Sequence, residues 1–308
     1  GEIFECKEGL SFWGGVDPST GCIVDVHHIN NGNSLVGKLV LMPTSRGSCS
    51  GSGVLLQLMQ NGLAPKALIF LEEEEILTLG AIVSDQLFNK KVAILRVSKD
   101  IYSDLATADT AEIFENTLVC GSKTIKLWGL DTETLSLNST DRRMLNGDQG
   151  IANKIAMEAI CKMAAVQSAN ELIDVTKGHI DGCILAHDAN LIFAEKMYKL
   201  GANVSIPTTI NAISVNLNNW ENQGVEPDFG NKASRLAIAY EKMGAHPTYT
   251  CAPYLLENKP QRDEVIGWSE SNAVIYANSI LGAKTQKHPD YLDLFIAMTG
   301  RAPKAGVY

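Results

Sequence analysis

The sequence predicts an α/β protein of two domains, on three observations. Short apolar runs of strand length alternate with helical stretches through the first third of the chain. A polar, weakly periodic stretch, "SKTIKLWGLDTETLSLNSTD", then interrupts the pattern at 122–141. Beyond it strand and helix alternate again, as in a parallel sheet layered with helices. The 308 residues are enough for two domains at roughly 100–200 residues each. The expected division is a small β/α domain over 1–121, a linker over 122–140 and a second domain over 141–308.

In the first part, "GKLVLMP", "KALIFL" and "KVAILRV" are strand-like, being Leu-rich or β-branched runs between turn residues. Between them "GVLLQLMQNG" and "EEILTLGAIVSDQLFN" have helical length and pattern. The acidic run Glu72–Glu75 reads as a solvated turn or a helix start, where negative charge is favourable. Thr140 or Asp141 is expected to cap the helical region containing "GIANKIAMEAICKMAAVQSA". Its Ile151, Ile155, Met157, Ile160, Met163 and Ala164 fit one buried face. Then follow "ELIDVTKGHIDGCIL", a helix in "ANLIFAEKMYKLGA", a strand in "NVSIPTTINAIS", a helix in "ASRLAIAYEKMGA", and "HPTYTCAPYLL". Parallel sheets bind ligands at loops beyond their C-terminal strand ends, and those loops here carry "GHIDG", "PTTINAIS" and "TCAPYL".

A net charge of -9 argues against a nucleic-acid partner. No apolar run reaches the roughly 18 residues of a membrane span, and no leader pattern opens the chain. Seven scattered cysteines, with no CxxC pair, argue for a reducing cytosol and against both a disulfide framework and a self-contained zinc site. The opening at Gly1 and the abrupt end "TGRAPKAGVY" lead to the expectation of a fragment at both ends.

The densest chemistry is "SRGSCSGSGVLLQLMQNG", a Gly/Ser-rich loop between a strand and a helix. Amides at a helix N-terminus bind anions, and serine hydroxyls add donors or a base. There is no Gly-Lys-Ser/Thr, so a P-loop is excluded. "GSCSG" also has the spacing of a nucleophile elbow, which would make Cys49 the nucleophile of a hydrolase, with His27 or His28 as base. Cys251, in a loop before Pro253, is a candidate metal ligand or thiol catalyst. His179, in "GHIDG", is placed on a tight loop. Glu270, Ser271 and Asn272 are placed at a helix start with Ser269 as N-cap.

Together "SFWGGVDPSTG", "RGSCSGSGVLLQLMQNGLAPKALIF", "GHIDG", "PTTINAISV", "TCAPYLL", "WSESNAVIYANSILGAKT" and "TGRAP" resemble the aconitase X family over nearly the whole chain. The first part resembles its small swivelling domain, and the second the beginning of its aconitase-like α/β/α catalytic region. Both in one chain resemble the fused bacterial form, which includes cis-3-hydroxy-L-proline dehydratases; two-subunit archaeal relatives include mevalonate 5-phosphate dehydratases. The resemblance implies a cytoplasmic hydro-lyase acting on a small hydroxy acid, with Ser48 as catalytic base. It implies an iron–sulfur cluster ligated by Cys251, the other ligands lying beyond residue 308, so that this chain is an incomplete enzyme. Substrate-binding positions carried over are Arg46, Gly47, Ser50, Ser52, His179, Thr208, Thr209, Asn211, Glu270, Ser271, Asn272 and Lys284. The chain departs from the family at Ser45, where glycine is usual, and at Lys284, where arginine is usual; lysine lacks arginine's bidentate fork. Removing water next to a carboxylate needs a base for the α-proton, a Lewis acid for the hydroxyl and donors for the carboxylate. A glycine-rich nest of amides supplies the field that a serine alkoxide needs, and with base and iron on different domains the site is expected between them.

Overall fold

A computed structural model describes residues 1–306 of the 308. The chain forms two compact units, Gly1–Asp131 and the part from Thr132 onward. In the first, strands Ile3–Glu5, Leu39–Met42, Ala67–Phe70 and Ala93–Arg96 pair in that order as a parallel sheet. Leu39–Met42 and Ala67–Phe70 are buried at every residue, which is why they read as unbroken apolar runs. Period-two alternation then divides them between two cores. Val40, Met42, Leu68 and Phe70 pack with helices Gly51–Asn61 and Ile76–Phe88. Leu39, Leu41, Ala67 and Ile69 pack on the opposite face with Tyr102 and Leu105 of helix Lys99–Ala106, and with Leu118 and Cys120.

Leu118 and Cys120 belong to an antiparallel sheet of Glu112–Phe114, Thr117–Cys120 and Lys123–Lys126. The last strand falls in the stretch expected as linker, and the units divide between Asp131 and Thr132. Lys123–Lys126 is a mostly exposed edge strand, so its polar composition imitates a linker.

The second unit is built on a parallel sheet in which Gly178–Ile180 lies between Thr208–Ile210 and Gly267–Trp268. Helix Leu292–Thr299, buried at every residue, packs against it and against helix Ile151–Val166. Helices Asp188–Lys199 and Pro227–Lys242 pack on each other. The expected cap at Thr140 or Asp141 is instead at Asn138, which opens a separate helix, Ser139–Asn146. The Asn138 side chain accepts from the Asp141 amide at 2.8 Å, and the Asp141 carboxylate accepts from the Asn138 amide at 3.0 Å, a reciprocal capping box. Asp141 is fully buried and meets Arg301 of "TGRAP" through Nε at 3.0 Å and a terminal nitrogen at 3.2 Å. Among the described residues no helix is long and apolar enough to cross a membrane.

Candidate active site

In the first unit the candidate site is the turn from strand Leu39–Met42 into helix Gly51–Asn61. Gly47 sits at φ +94°, and a Cβ there would stand 2.3 Å from the Ser11 hydroxyl oxygen, so the turn needs glycine on both counts. Ser48 follows, half-buried. Its hydroxyl accepts from the Ser50 amide at 3.3 Å and reaches the Ser50 hydroxyl at 3.3 Å. Ser50 is the helix N-cap, yet its side chain makes no capping bond. Its hydroxyl is therefore not committed to the helix and can serve Ser48. Ser52 is fully buried and donates to the Cys49 carbonyl at 2.9 Å, so it faces inward.

The loop is braced from behind by Glu74. Ser45 donates to its carboxylate at 2.6 Å, and the amides of Leu77 and Thr78 donate at 2.8 and 2.9 Å. Of the two readings of the acidic run, a solvated turn or a helix start, the run is a helix start: Glu74 is buried and caps helix Ile76–Phe88 from just before its first residue. Arg46 is exposed, beside Glu8 at 3.8 Å and Asp25 at 3.5 Å. The hydrolase pairing would draw its base from His27 or His28. His27 is exposed, and His28 accepts from the Asn30 amide at 3.1 Å through Nδ1, with Nε2 3.9 Å from Glu8.

In the second unit the candidate residues gather at the C-terminal ends of three parallel strands. Asp181 directly follows Gly178–Ile180, Asn211 follows Thr208–Ile210, and Glu270 lies two residues past Gly267–Trp268. The Asn211 side-chain nitrogen donates to the Asp181 carboxylate and, at 2.9 Å, to Glu270. One amide thus draws two acids from different strands together. Behind them Asp293, on the apolar helix Leu292–Thr299, accepts from the Asp181 amide at 2.7 Å. Burial first, and the neighbouring Asp181 charge, push Asp293 up to about 7. A hydrogen bond from Ser269 pulls it the other way. Ser269 is therefore not the N-cap expected from the sequence; Glu270 holds that position.

His179 is the middle residue of its strand and fully buried, not on a tight loop. Its Nδ1 lies 2.7 Å from the Thr209 hydroxyl, and burial lowers its pKa to about 3, so it is neutral near pH 7. Thr208 is buried and donates to the Ile206 carbonyl at 2.8 Å. Cys251 is exposed in its loop, and its carbonyl accepts from the Asn272 side chain at 2.9 Å. Ser271 opens helix Ser271–Tyr276 on the surface. Lys284 is turned to Asp263, at 3.6 Å.

Family models match the two parts of the chain separately: the aconitase X swivel domain over residues 1–120, and the aconitase X first domain over 134–308. The chain belongs to the aconitase X family. It is 45% identical to cis-3-hydroxy-L-proline dehydratase of Hypocrea jecorina, over 100% of this chain and 54% of that protein. It is 44% identical to the enzyme of the same name from Pseudomonas aeruginosa, with the same coverage. The phosphomevalonate dehydratase large subunit of Methanothermobacter thermautotrophicus is 32% identical over 56% of this chain and 44% of that subunit. The crystal structure of Thermococcus kodakaraensis aconitase X in its holo form superposes with a TM-score of 0.51 at 32% identity, over 56% of this chain and 43% of that one. The chain spans about half the length of the curated relatives it matches.

For an aconitase X, the cysteines supply little of a cluster site. Among the described residues Cys251 alone is exposed. Burial pushes the Cys6 and Cys161 thiols up to about 12 and raises Cys183 well above its usual range, so these three do not offer thiolates. An iron–sulfur cluster needs several thiolate ligands, and these three buried thiols do not supply them. Sequence reasoning missed Asp181 and Asp293. The signal for Asp293 is one acid in the otherwise apolar "LDLFIAMT"; Asp181 lies inside "GHIDG".

Proposed function

We propose that this chain is the swivel domain and the first part of the catalytic domain of a hydro-lyase acting on a small hydroxy acid, cis-3-hydroxy-L-proline. The observation that carries this reading is the matching of both parts of the chain, end to end, to cis-3-hydroxy-L-proline dehydratases, at higher identity than to the phosphomevalonate enzymes. In the reaction a base takes the proton from C2, the C3–O bond breaks, and water leaves. The enamine formed then tautomerises to Δ1-pyrroline-2-carboxylate.

Ser48 is the base. A serine hydroxyl is a poor base unless its oxyanion is stabilised. Here the Ser50 amide already donates to it, the Ser50 hydroxyl lies within reach, and the helix N-terminus adds positive potential. Gly47 and Arg46 present an exposed amide and a guanidinium beside it for a carboxylate. In the second unit Asn211, Glu270 and Thr209 offer polar groups for the ring nitrogen and hydroxyl, and Asn272 holds the Cys251 loop. Cys251 would hold one corner of an iron–sulfur cluster, and such a group would supply a Lewis acid for the leaving hydroxyl.

The test uses the protein at the length of its relatives. Turnover of cis-3-hydroxy-L-proline, followed as pyrroline-2-carboxylate, is expected, with mevalonate 5-phosphate left unchanged. Turnover of the phosphorylated substrate in preference would move the assignment to the archaeal-type activity.

A further inference from the structure

The Asp181–Asn211–Glu270 group stands at three strand ends, and what holds it from behind is a buried acid. Asp293 Oδ2 accepts from the Asp181 amide at 2.7 Å, while its Oδ1 accepts from the Leu294 amide at 2.7 Å. Ser269, between Trp268 and Glu270, is fully buried and acts on the same carboxyl, favouring its charged form. One side chain thus touches the residue that carries the first acid of the group and the neighbour of the second.

The surroundings are acidic. Asp181 faces it from the strand end, and Tyr291 from the segment leading into its own helix, where Asp290 also acts on Tyr291. Cys183 faces it from the turn after Asp181, and Tyr240 from helix Pro227–Lys242. All five are acids, so none of them offsets a negative charge on Asp293.

We propose that Asp293 is a positioning residue whose protonation state sets the geometry of the Asp181–Asn211–Glu270 group. Ionised, its two oxygens accept charge-assisted hydrogen bonds from two amides and fix the turn at Asp181. Protonated, it gives up charge-assisted strength at those contacts, and the turn loosens. The change falls close to neutral pH because burial and the neighbouring Asp181 disfavour the charge.

The first test needs no activity. In the protein at the length of its relatives the side-chain amide resonance of Asn211, assigned by its loss in Asn211→Ala, should shift with a midpoint near pH 7. The shift should vanish in Asp293→Asn. In Ser269→Ala the midpoint should rise, because a hydrogen bond to the charged form is lost; this variant serves if Asp293→Asn does not fold. A resonance that stays constant from pH 5 to pH 9, or that titrates unchanged in the variants, overturns the proposal. The second test rests on the dehydratase reading and uses the protein at the length of its relatives. There Asp293→Asn should lower kcat by about tenfold or more, change KM less, and remove a limb near pH 7 from the pH–rate profile. A titrating Asn211 in a protein without dehydratase activity would sink the functional reading and leave the positioning role intact. A folded Asp293→Asn enzyme with wild-type kcat and pH profile would overturn the positioning role itself.

Discussion

Ser48, Ser50 and Ser52, at alternate positions entering helix Gly51–Asn61, do three different things. Ser48 offers a half-buried hydroxyl, Ser50 supports it, and Ser52 faces inward to Cys49. Ser52→Ala should therefore cost about 1 kcal/mol of stability in denaturant unfolding. Ser48→Ala should leave stability nearly unchanged, and it should lower turnover by about 10²–10⁴-fold in the protein at the length of its relatives. His179 carries a pH signature. Its folded-state pKa, about 3, lies below the ordinary 6.5, so the unfolded chain takes up the proton first. Its contribution to stability is intact above pH 6.5 and is lost as pH falls toward 3. Unfolding midpoints measured across that range should fall more steeply for the wild type than for His179→Gln. Cys251 should be the first thiol alkylated in the native chain, since it is the exposed cysteine among the described residues; peptide mapping after brief iodoacetamide treatment reads this directly.

At the scale of elements, the Ser48 turn depends on Glu74, which accepts from Ser45 and from two amides opening helix Ile76–Phe88. Glu74→Ala should destabilise the first unit by about 1–3 kcal/mol, since it strips partners from buried donors, and a shift in its denaturation midpoint would measure this. Ser45, where the family usually has glycine, is thereby tied into the brace. The long apolar strands and helices of both units were legible because burial on two faces leaves an unbroken apolar record. What escaped was local. His179 looked like a loop residue because glycines flank it on both sides. Gly178, however, is no turn: a Cβ there would meet the Thr208 hydroxyl oxygen at 2.9 Å and Ala297 at 3.2 Å, so the glycine lets strand and helix pack closely. Asn138 does not stand out as the cap in sequence because "NSTD" offers four capping residues in a row, and only the reciprocal bond with Asp141 selects among them. The candidate site was legible at Asn211 and Glu270, whose motifs resemble the family's. The link between them through Asp181 is a contact across strands, which no linear spacing displays.

For the whole molecule, the division between Asp131 and Thr132 places the first accessible cleavage in the segment 127–137, after the last strand of the first unit and before helix Ser139–Asn146. Limited proteolysis should cut there before it cuts inside either unit, and early cleavage within 151–199 would contradict the two-unit organisation. Ser48, in the loop before helix Gly51–Asn61, is the proposed base of the dehydration. Exchange of the C2 hydrogen of cis-3-hydroxy-L-proline with deuterated solvent, in the protein at the length of its relatives, tests it most directly. The account predicts exchange in the wild type, slower exchange in Ser50→Ala, and a loss of about 10²–10⁴-fold in Ser48→Ala with folding unchanged. Exchange at the wild-type rate in a folded Ser48→Ala protein would contradict it.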